Sequence, residues 1–522
     1  MTELNRPFDE ILRRVWSRVR RRHLYPELPH PQITADENFA ALTFKTKQIF
    51  LSRAVIEKLA PVLSPSKSME ALLDHAVSRY LYCPWNLATY LRLYTEARRV
   101  LDTGEAAKTV TEAFVDIAAD TRCISRVETF LPELYAAFEG NQMDRLVKGV
   151  LQRICQRDLG VRDEPAVLRQ LAVIPYLDRS QWMDGIRSFA GLLKSFFSDK
   201  NLEEGSRQLS NCHSGLEPYT DQEIRTGFAA LAAHLPSVEE FNRIAGDFDV
   251  KIGTEAVTGP RKAGTGAGTG QDIPALYYLK LAENYRLPLG PMRVRKSGAD
   301  YPHHHVPWEI SRPYGDIDPW TSFGKIMPGI SQVWERDESR IFTRKEQTPD
   351  LIVMIDSSAS MPHPGKKVSH AVLSAGCACD AYLRDNARVS VYNFSDAASG
   401  GRKILDWSTS REAIYHCLCY YFGGGTQIEL RYLDGLQIEP APDIFLITDM
   451  QIHNLSALAD YFNTCRNRVT VVHLGRNPDV VQFKKSTELR PDLSVFNVEK
   501  KEDILGIVLG QVKEYLGSGQ PL

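Results

Sequence analysis

Five oxygen-bearing side chains carry the chemistry this sequence suggests. Asp356, Ser358 and Ser360 alternate in Asp356-Ser357-Ser358-Ala359-Ser360, and Thr426 and Asp449 follow further along the chain. Asp-x-Ser-x-Ser aims one carboxylate and two hydroxyls at a single point. Hard oxygen donors of this kind suit a small divalent cation, Mg²⁺ first, with Mn²⁺ or Ca²⁺ as alternatives of the same ligand class.

The elements around these residues must hold them together. Leu351-Ile352-Val353-Met354-Ile355 is an unbroken apolar run, which predicts a buried parallel strand ending at Asp356. A helix is expected to begin near Pro362 to Gly365 and run through Leu373. Gly423-Gly424-Gly425 lets the backbone approach closely before Thr426 offers its hydroxyl. Asp443-Ile444-Phe445-Leu446-Ile447-Thr448-Asp449 is a second buried strand ending in a carboxylate. Further strands are predicted at 388–394, 403–407 (an antiparallel edge), 469–474 and 493–498, with helices at 411–418 and 503–513. This alternation predicts an α/β fold, a doubly wound Rossmann-like sheet with helices on both faces. Ligands bind at the carboxyl ends of the strands in such sheets.

In order, spacing and strand context, Asp356, Ser358, Ser360, Thr426 and Asp449 resemble the metal-ion-dependent adhesion site (MIDAS) of von Willebrand factor A (vWA) domains. The resemblance implies Mg²⁺ bound directly by Ser358 and Ser360, with Asp356, Asp449 and Thr426 acting directly or through water. By the same resemblance the ion keeps an exposed coordination position, so a carboxylate from another protein can complete the shell. A helical amino-terminal half, a linker and a carboxyl-terminal vWA region are similar in layout to the CoxE-like and ViaA-like partners of MoxR-type AAA+ ATPases. Chelatase subunits share this logic. The resemblance implies a non-enzymatic adaptor that couples a separate ATPase to a client protein, in a chaperone-like, remodelling or metal-insertion role. The chain has no Walker motif of its own.

At 522 residues the chain is too long for one core. Its 43% hydrophobic and 25% charged content is ordinary for a globular protein. A net charge of −2 gives no global drive toward nucleic acid or membranes. No apolar run reaches the ~18 residues that span a bilayer, and the amino terminus lacks an apolar signal core, so a cytoplasmic location is expected. The nine cysteines, including Cys377/Cys379 and Cys417/Cys419 two apart in predicted helices, are expected to be reduced and mostly buried.

The amino-terminal half, 1–250, is expected to be mainly helical. Residues 3–23 predict an amphipathic helix with an arginine face, either solvated or a contact for an acidic partner. Short strands are predicted at 39–44 and 48–51, a helix at 53–59, and a capped helix at 68–80. Residues 30–100 resemble the metallopeptidase-like domains that precede some prokaryotic vWA domains. His75 matches the first His of their His-Glu-x-x-His motif, but Ala76 replaces the general base and Arg79 the second ligand. The resemblance therefore implies a shape without the hydrolytic machinery. Ser210 to Ser214, with adjacent Cys212 and His213, reads as a loop. Residues 251–272 read as a Gly/Thr-rich linker, and Lys262 is misplaced for a phosphate-binding loop. Residues 273–345 read as an irregular approach segment to a vWA domain at 346–522. Within it, His303-His304-His305 cannot all face one way on a strand.

Two other functions compete. A metallopeptidase would use His75 with the His303–His305 run, and zinc content would reveal it. An RNA-associated protein would use the Arg13 to Arg22 helix, and its binding would weaken with salt. Ser357, Ser358 and His363 do not form a Ser–His hydrolase site, because the serines lie in or beside the metal turn.

Overall fold

The computed structural model describes residues 6–34, 41–43, 46–162, 166–198, 216, 219–250, 272–285, 302–324, 326–336, 348–396, 401–475, 477–488, 490–498, 503 and 505–510. The expected linker and the Ser210–Ser214 segment lie outside them, except that Asp272 begins a helix. Packing divides the chain into two units. One comprises Met1–Asn284, Pro362–Val372 and Arg411–Gly423, and the other Tyr285–Met361, Leu373–Ser410 and Gly424–Leu522.

The first unit is helical, as its periodicity predicts. After α1 (Arg6–Arg22) comes a small sheet in which β1 (Gln32–Thr34) pairs parallel with β3 (Gln48–Ser52), and β3 pairs antiparallel with β2 (Ala41–Thr43). The helices α2 (Arg53–Leu59), α3 (Pro65–Leu81), α4 (Leu87–Val100), α5 (Gly104–Arg126), α6 (Leu131–Ala137), α7 (Gln142–Cys155), α8 (Ala166–Ala172), α9 (Trp182–Ser198), α10 (Asp221–Ala232), α11 (Val238–Asp247) and α12 (Asp272–Ala282) follow. Helix α3 starts earlier than expected, with Pro65 at its first turn, and Ser68 is an interior residue bonded to the Leu63 carbonyl.

The arginine face of α1 is partly used at home. Arg18 and Arg22 pair with Glu70 on α3, and Arg22 also reaches Asp74. Those two arginines are therefore not a free surface for an acidic partner.

Between α3 and α5 runs a buried polar seam. Glu112, Asp116 and Asp120 recur every fourth residue, so they share one face of α5. Arg79 on α3 bonds Glu112 at 2.7 Å and Asp116 at 2.5 Å, and His75 meets Asp120 at 2.9 Å. Burial pushes the His75 pKa down, but the Asp120 and Asp116 carboxylates together outweigh it and the net shift is upward. A raised histidine pKa contributes stability that is complete below the ordinary value of 6.5 and is lost as pH rises through the folded-state value. The gap in unfolding free energy between wild type and His75→Gln should therefore narrow from pH 6 to pH 8.5. Urea titrations at the two pH values measure it, and a constant gap would show that His75 stays neutral.

Residues 273–345 are not irregular throughout. Helix α12 is buried through Tyr277 and Tyr278, and Tyr277 packs against Phe241 of α11. The expected 346–522 domain is also divided. The Tyr278 hydroxyl donates to the Pro364 carbonyl and Asn242 donates to that of Gly365, which fixes 362–372 in the helical unit. The helix α14 (Arg411–Leu418) joins the same unit by packing on α12.

The second unit begins with an antiparallel ribbon of β4 (Pro302–Pro307) and β5 (Gln332–Arg336). Here the side chain of His304 is exposed, while His305 bonds Asp318 at 3.0 Å and lies against Trp334. The main sheet contains β6 (Leu351–Asp356), β7 (Val389–Phe394), β8 (Arg402–Ser408), β9 (Asp443–Thr448), β10 (Val469–Leu474) and β11 (Leu493–Val498) in the order β11-β10-β9-β6-β7-β8. All neighbours are parallel except the β7–β8 edge pair, as predicted. Between β6 and β7 lies α13 (His370–Arg384), which starts later than expected because Pro364 and Gly365 occupy turns and Ser369 accepts the first-turn amide of Val372. The short helix α15 (Leu430–Gly435), with α16 (Leu455–Thr464) and α17 (Asp479–Thr487), supplies Leu433, Leu458, Phe462 and Phe483 to one core with Ile352, Met354, Ile444 and Leu446 of the sheet. Each such side chain is worth roughly 1.5–3 kcal/mol when fully buried. The same burial leaves the strand ends as the place where polar groups gather.

Candidate metal centre

The chain leaves β6 toward β7 on one side of the sheet, and β9 lies on the other side of β6. The carboxyl ends of β6 and β9 thus flank the topological switch point, where open α/β sheets form a crevice. Asp356 ends β6 and Asp449 directly follows β9.

Three loops meet there. In the first, Asp356 Oδ1 accepts the Ser358 amide at 2.9 Å, a local turn that brings the Ser358 and Ser360 hydroxyls to 3.1 Å from each other. In the second, the Gly424 carbonyl accepts the Ala359 amide at 2.8 Å, which docks the loop bearing Thr426 on the serine turn. In the third, the His453 amide donates to the Thr426 carbonyl at 3.0 Å, and Asn454 forms a two-way bridge with the Ile428 backbone. The Thr448 hydroxyl closes the circle by donating to Asp356 Oδ2 at 2.7 Å. Each loop is bonded to the next, so the expected donors rest on a mutually braced frame. Asp356, Ser358, Thr426 and Asp449 are buried and Ser360 is exposed, so the cluster opens at one edge.

Burial pushes the Asp356 carboxyl up to about 6. The Asp449 charge adds to that rise, against the bonds from Thr448 and Ser358 that favour the anion. A buried carboxylate raised in this way, with a second carboxylate and hydroxyls beside it, is what a divalent cation relieves. The donor set is all hard oxygen, and it fits Mg²⁺.

Three supporting residues are not evident from ligand spacing. Thr448 holds Asp356, and its signal was a lone hydroxyl at the end of an apolar strand. The Asp396 carboxylate accepts the Gly425 amide at 3.0 Å, and Ser395 donates to the Gly425 carbonyl at 2.8 Å. A Cβ on Gly425 would lie 2.6 Å from Asp396 Oδ2, which is why a glycine stands there. Nothing in the sequence brings 395–396 to this loop until the order of strands is known.

His75 faces the carboxylates Asp120 and Asp116 in the polar seam, and Arg79 at the second-ligand position is ion-paired. The eight cysteines among the described residues are free thiols, six of them buried. No helix among the described residues is long and apolar enough to cross a membrane.

No family model matches the chain, and no curated protein matches it. Among solved structures it is similar to one described as von Willebrand factor type A from Catenulispora acidiphila, at 14% identity and a TM-score of 0.25. That match covers 33% of this chain and 43% of the other, so the chain spans less than half of the structure it matches.

Proposed function

We propose that the sheet unit is a vWA-like, Mg²⁺-dependent protein-binding module with a MIDAS formed by Asp356, Ser358, Ser360, Thr426 and Asp449. The observation that carries this reading is the closed ring of three loops at the switch point, with the serine hydroxyls 3.1 Å apart beside a buried carboxylate. When bound, the cation supplies an open coordination position to a carboxylate of another protein. The residues do the rest. Asp356 and Asp449 provide the negative charge, Ser358, Ser360 and Thr426 provide neutral oxygens, and Thr448 fixes the Asp356 carboxylate. The exposed edge at Ser360 is where a partner's acidic side chain enters.

On this reading the chain is a cytoplasmic adaptor without chemistry of its own. Its partner is a MoxR-type AAA+ ATPase that offers an acidic residue, and the pair acts on a client protein by chaperone-like remodelling or metal insertion. Titration with Mn²⁺, followed by electron paramagnetic resonance, tests the metal half of the proposal. Wild type should bind one hard-site ion that Mg²⁺ displaces, and Ser358→Ala with Ser360→Ala should weaken it at least tenfold, about 1.4 kcal/mol. Equal binding by the double variant would remove the serines from the site.

A further inference from the structure

The buried triad of His23, Asp74 and Cys123 in the helical unit is a second candidate metal centre, of a different chemical class. His23 follows the end of α1, Asp74 lies in α3 and Cys123 in α5, so three elements converge on it. One ligand atom from each residue lies within 4.8 Å of the others, and all three side chains are buried. The His23 Nε2 atom is 3.0 Å from Asp74 Oδ1. The other oxygen of Asp74 is held from outside, by the Thr129 hydroxyl at 2.5 Å and by Arg22 at 3.3 Å. This is how outer groups orient a ligating carboxylate while leaving one oxygen to the metal.

The Ser78 hydroxyl, one turn along α3 from Asp74, lies beside the Cys123 thiol, and His23 Nδ1 is left without a hydrogen-bond partner. Ser78 is fully buried and His23 nearly so. An unmet polar group in such a dry site costs about 1–3 kcal/mol, so an additional occupant has something to satisfy.

We infer that His23, Asp74 and Cys123 bind Zn²⁺, with the Ser78 hydroxyl next to the remaining coordination position. Mixed nitrogen, oxygen and sulfur donors suit zinc and not magnesium. Binding converts the Cys123 thiol to a thiolate and releases its proton to solvent. The thiolate and Asp74 then neutralise the dication, while Glu70 stays with Arg18 and Arg22. The ion would fasten α1 to the α3–α5 pair. This inference is independent of the sheet unit's site, which contains no sulfur.

The test uses the full chain, stripped with chelator and titrated with Co²⁺. A thiolate-to-cobalt charge-transfer band should saturate at one equivalent and disappear on Zn²⁺ addition. Cys123→Ser should abolish the band and Cys155→Ser should keep it. Thr129→Val should weaken Co²⁺ binding about 10–100-fold. No band in wild type, or a band that survives in folded Cys123→Ser, would overturn the assignment. If Cys123→Ser does not fold, X-ray absorption of the zinc-loaded wild type decides. One sulfur in the shell supports the site, and none or several overturn it.

Discussion

Asp356→Asn should make the metal-free protein more stable while abolishing its response to Mg²⁺. The sign follows from the direction of the shift. Asp356 is raised from 3.8 to about 6 in the fold, so its ionised form is destabilising there above that value. A shift of that size corresponds to about 3 kcal/mol at pH 7.5, and the cost is relieved as pH falls from 6 toward 4. Asparagine removes the charge and keeps the shape, although its amide must share the contacts with Thr448 and Ser358. A gain of about 1–3 kcal/mol in EDTA is therefore expected, vanishing near pH 4. In Mg²⁺ the variant's lead should shrink by about 2.7 kcal/mol, because wild type gains that much at one hundred times its dissociation constant and the variant gains nothing. Urea denaturation at pH 7.5 and pH 4, with Mg²⁺ and with EDTA, reads both effects. A variant less stable than wild type in EDTA would mean that Asp356 is a structural anion, held by Thr448 and Ser358 for the fold alone.

Arg79→Ala should be the most damaging single change in the helical unit, costing about 3–5 kcal/mol. Arg79 is 2% exposed and its two partners are no more than 4% exposed, so the substitution removes the buried cation that is ion-paired with Glu112 and Asp116. Replacing the whole group with apolar residues, as Arg79→Met with Glu112→Met and Asp116→Leu, should recover most of the loss, because the desolvation penalty disappears with the charges. Denaturant midpoints of the single and triple variants check this. A loss below about 1 kcal/mol for Arg79→Ala would place the seam in contact with water.

The parts of this protein legible in its sequence are those that local pattern determines. Unbroken apolar runs mark β6 and β9 because a strand covered on both faces has no polar side. Asp-x-Ser-x-Ser marks its turn because its oxygens are two residues apart. Contacts between distant residues leave no such pattern. Thr448 reaches Asp356 across 92 residues, and only the β6–β9 pairing puts them side by side. His23 and Asp74 are 51 residues apart, and His23 looks like the tail of a basic helix until α1 is laid on α3. The start of α13 was misplaced because Ser369, and not the Pro362–Gly365 stretch, supplies the cap. The ribbon of β4 and β5 was missed because 24 residues separate its strands and no tight turn announces it.

The central claim is that a metal at Asp356, Ser358, Ser360, Thr426 and Asp449 joins this chain to another protein. It is tested most directly by capturing partners from native lysate with wild type and with the Asp356→Ala, Ser358→Ala double variant, each in Mg²⁺ and in EDTA. A hexameric AAA+ ATPase retained by wild type in Mg²⁺ alone is the predicted result. The same partners retained under all four conditions would contradict it and move the contact away from the metal centre.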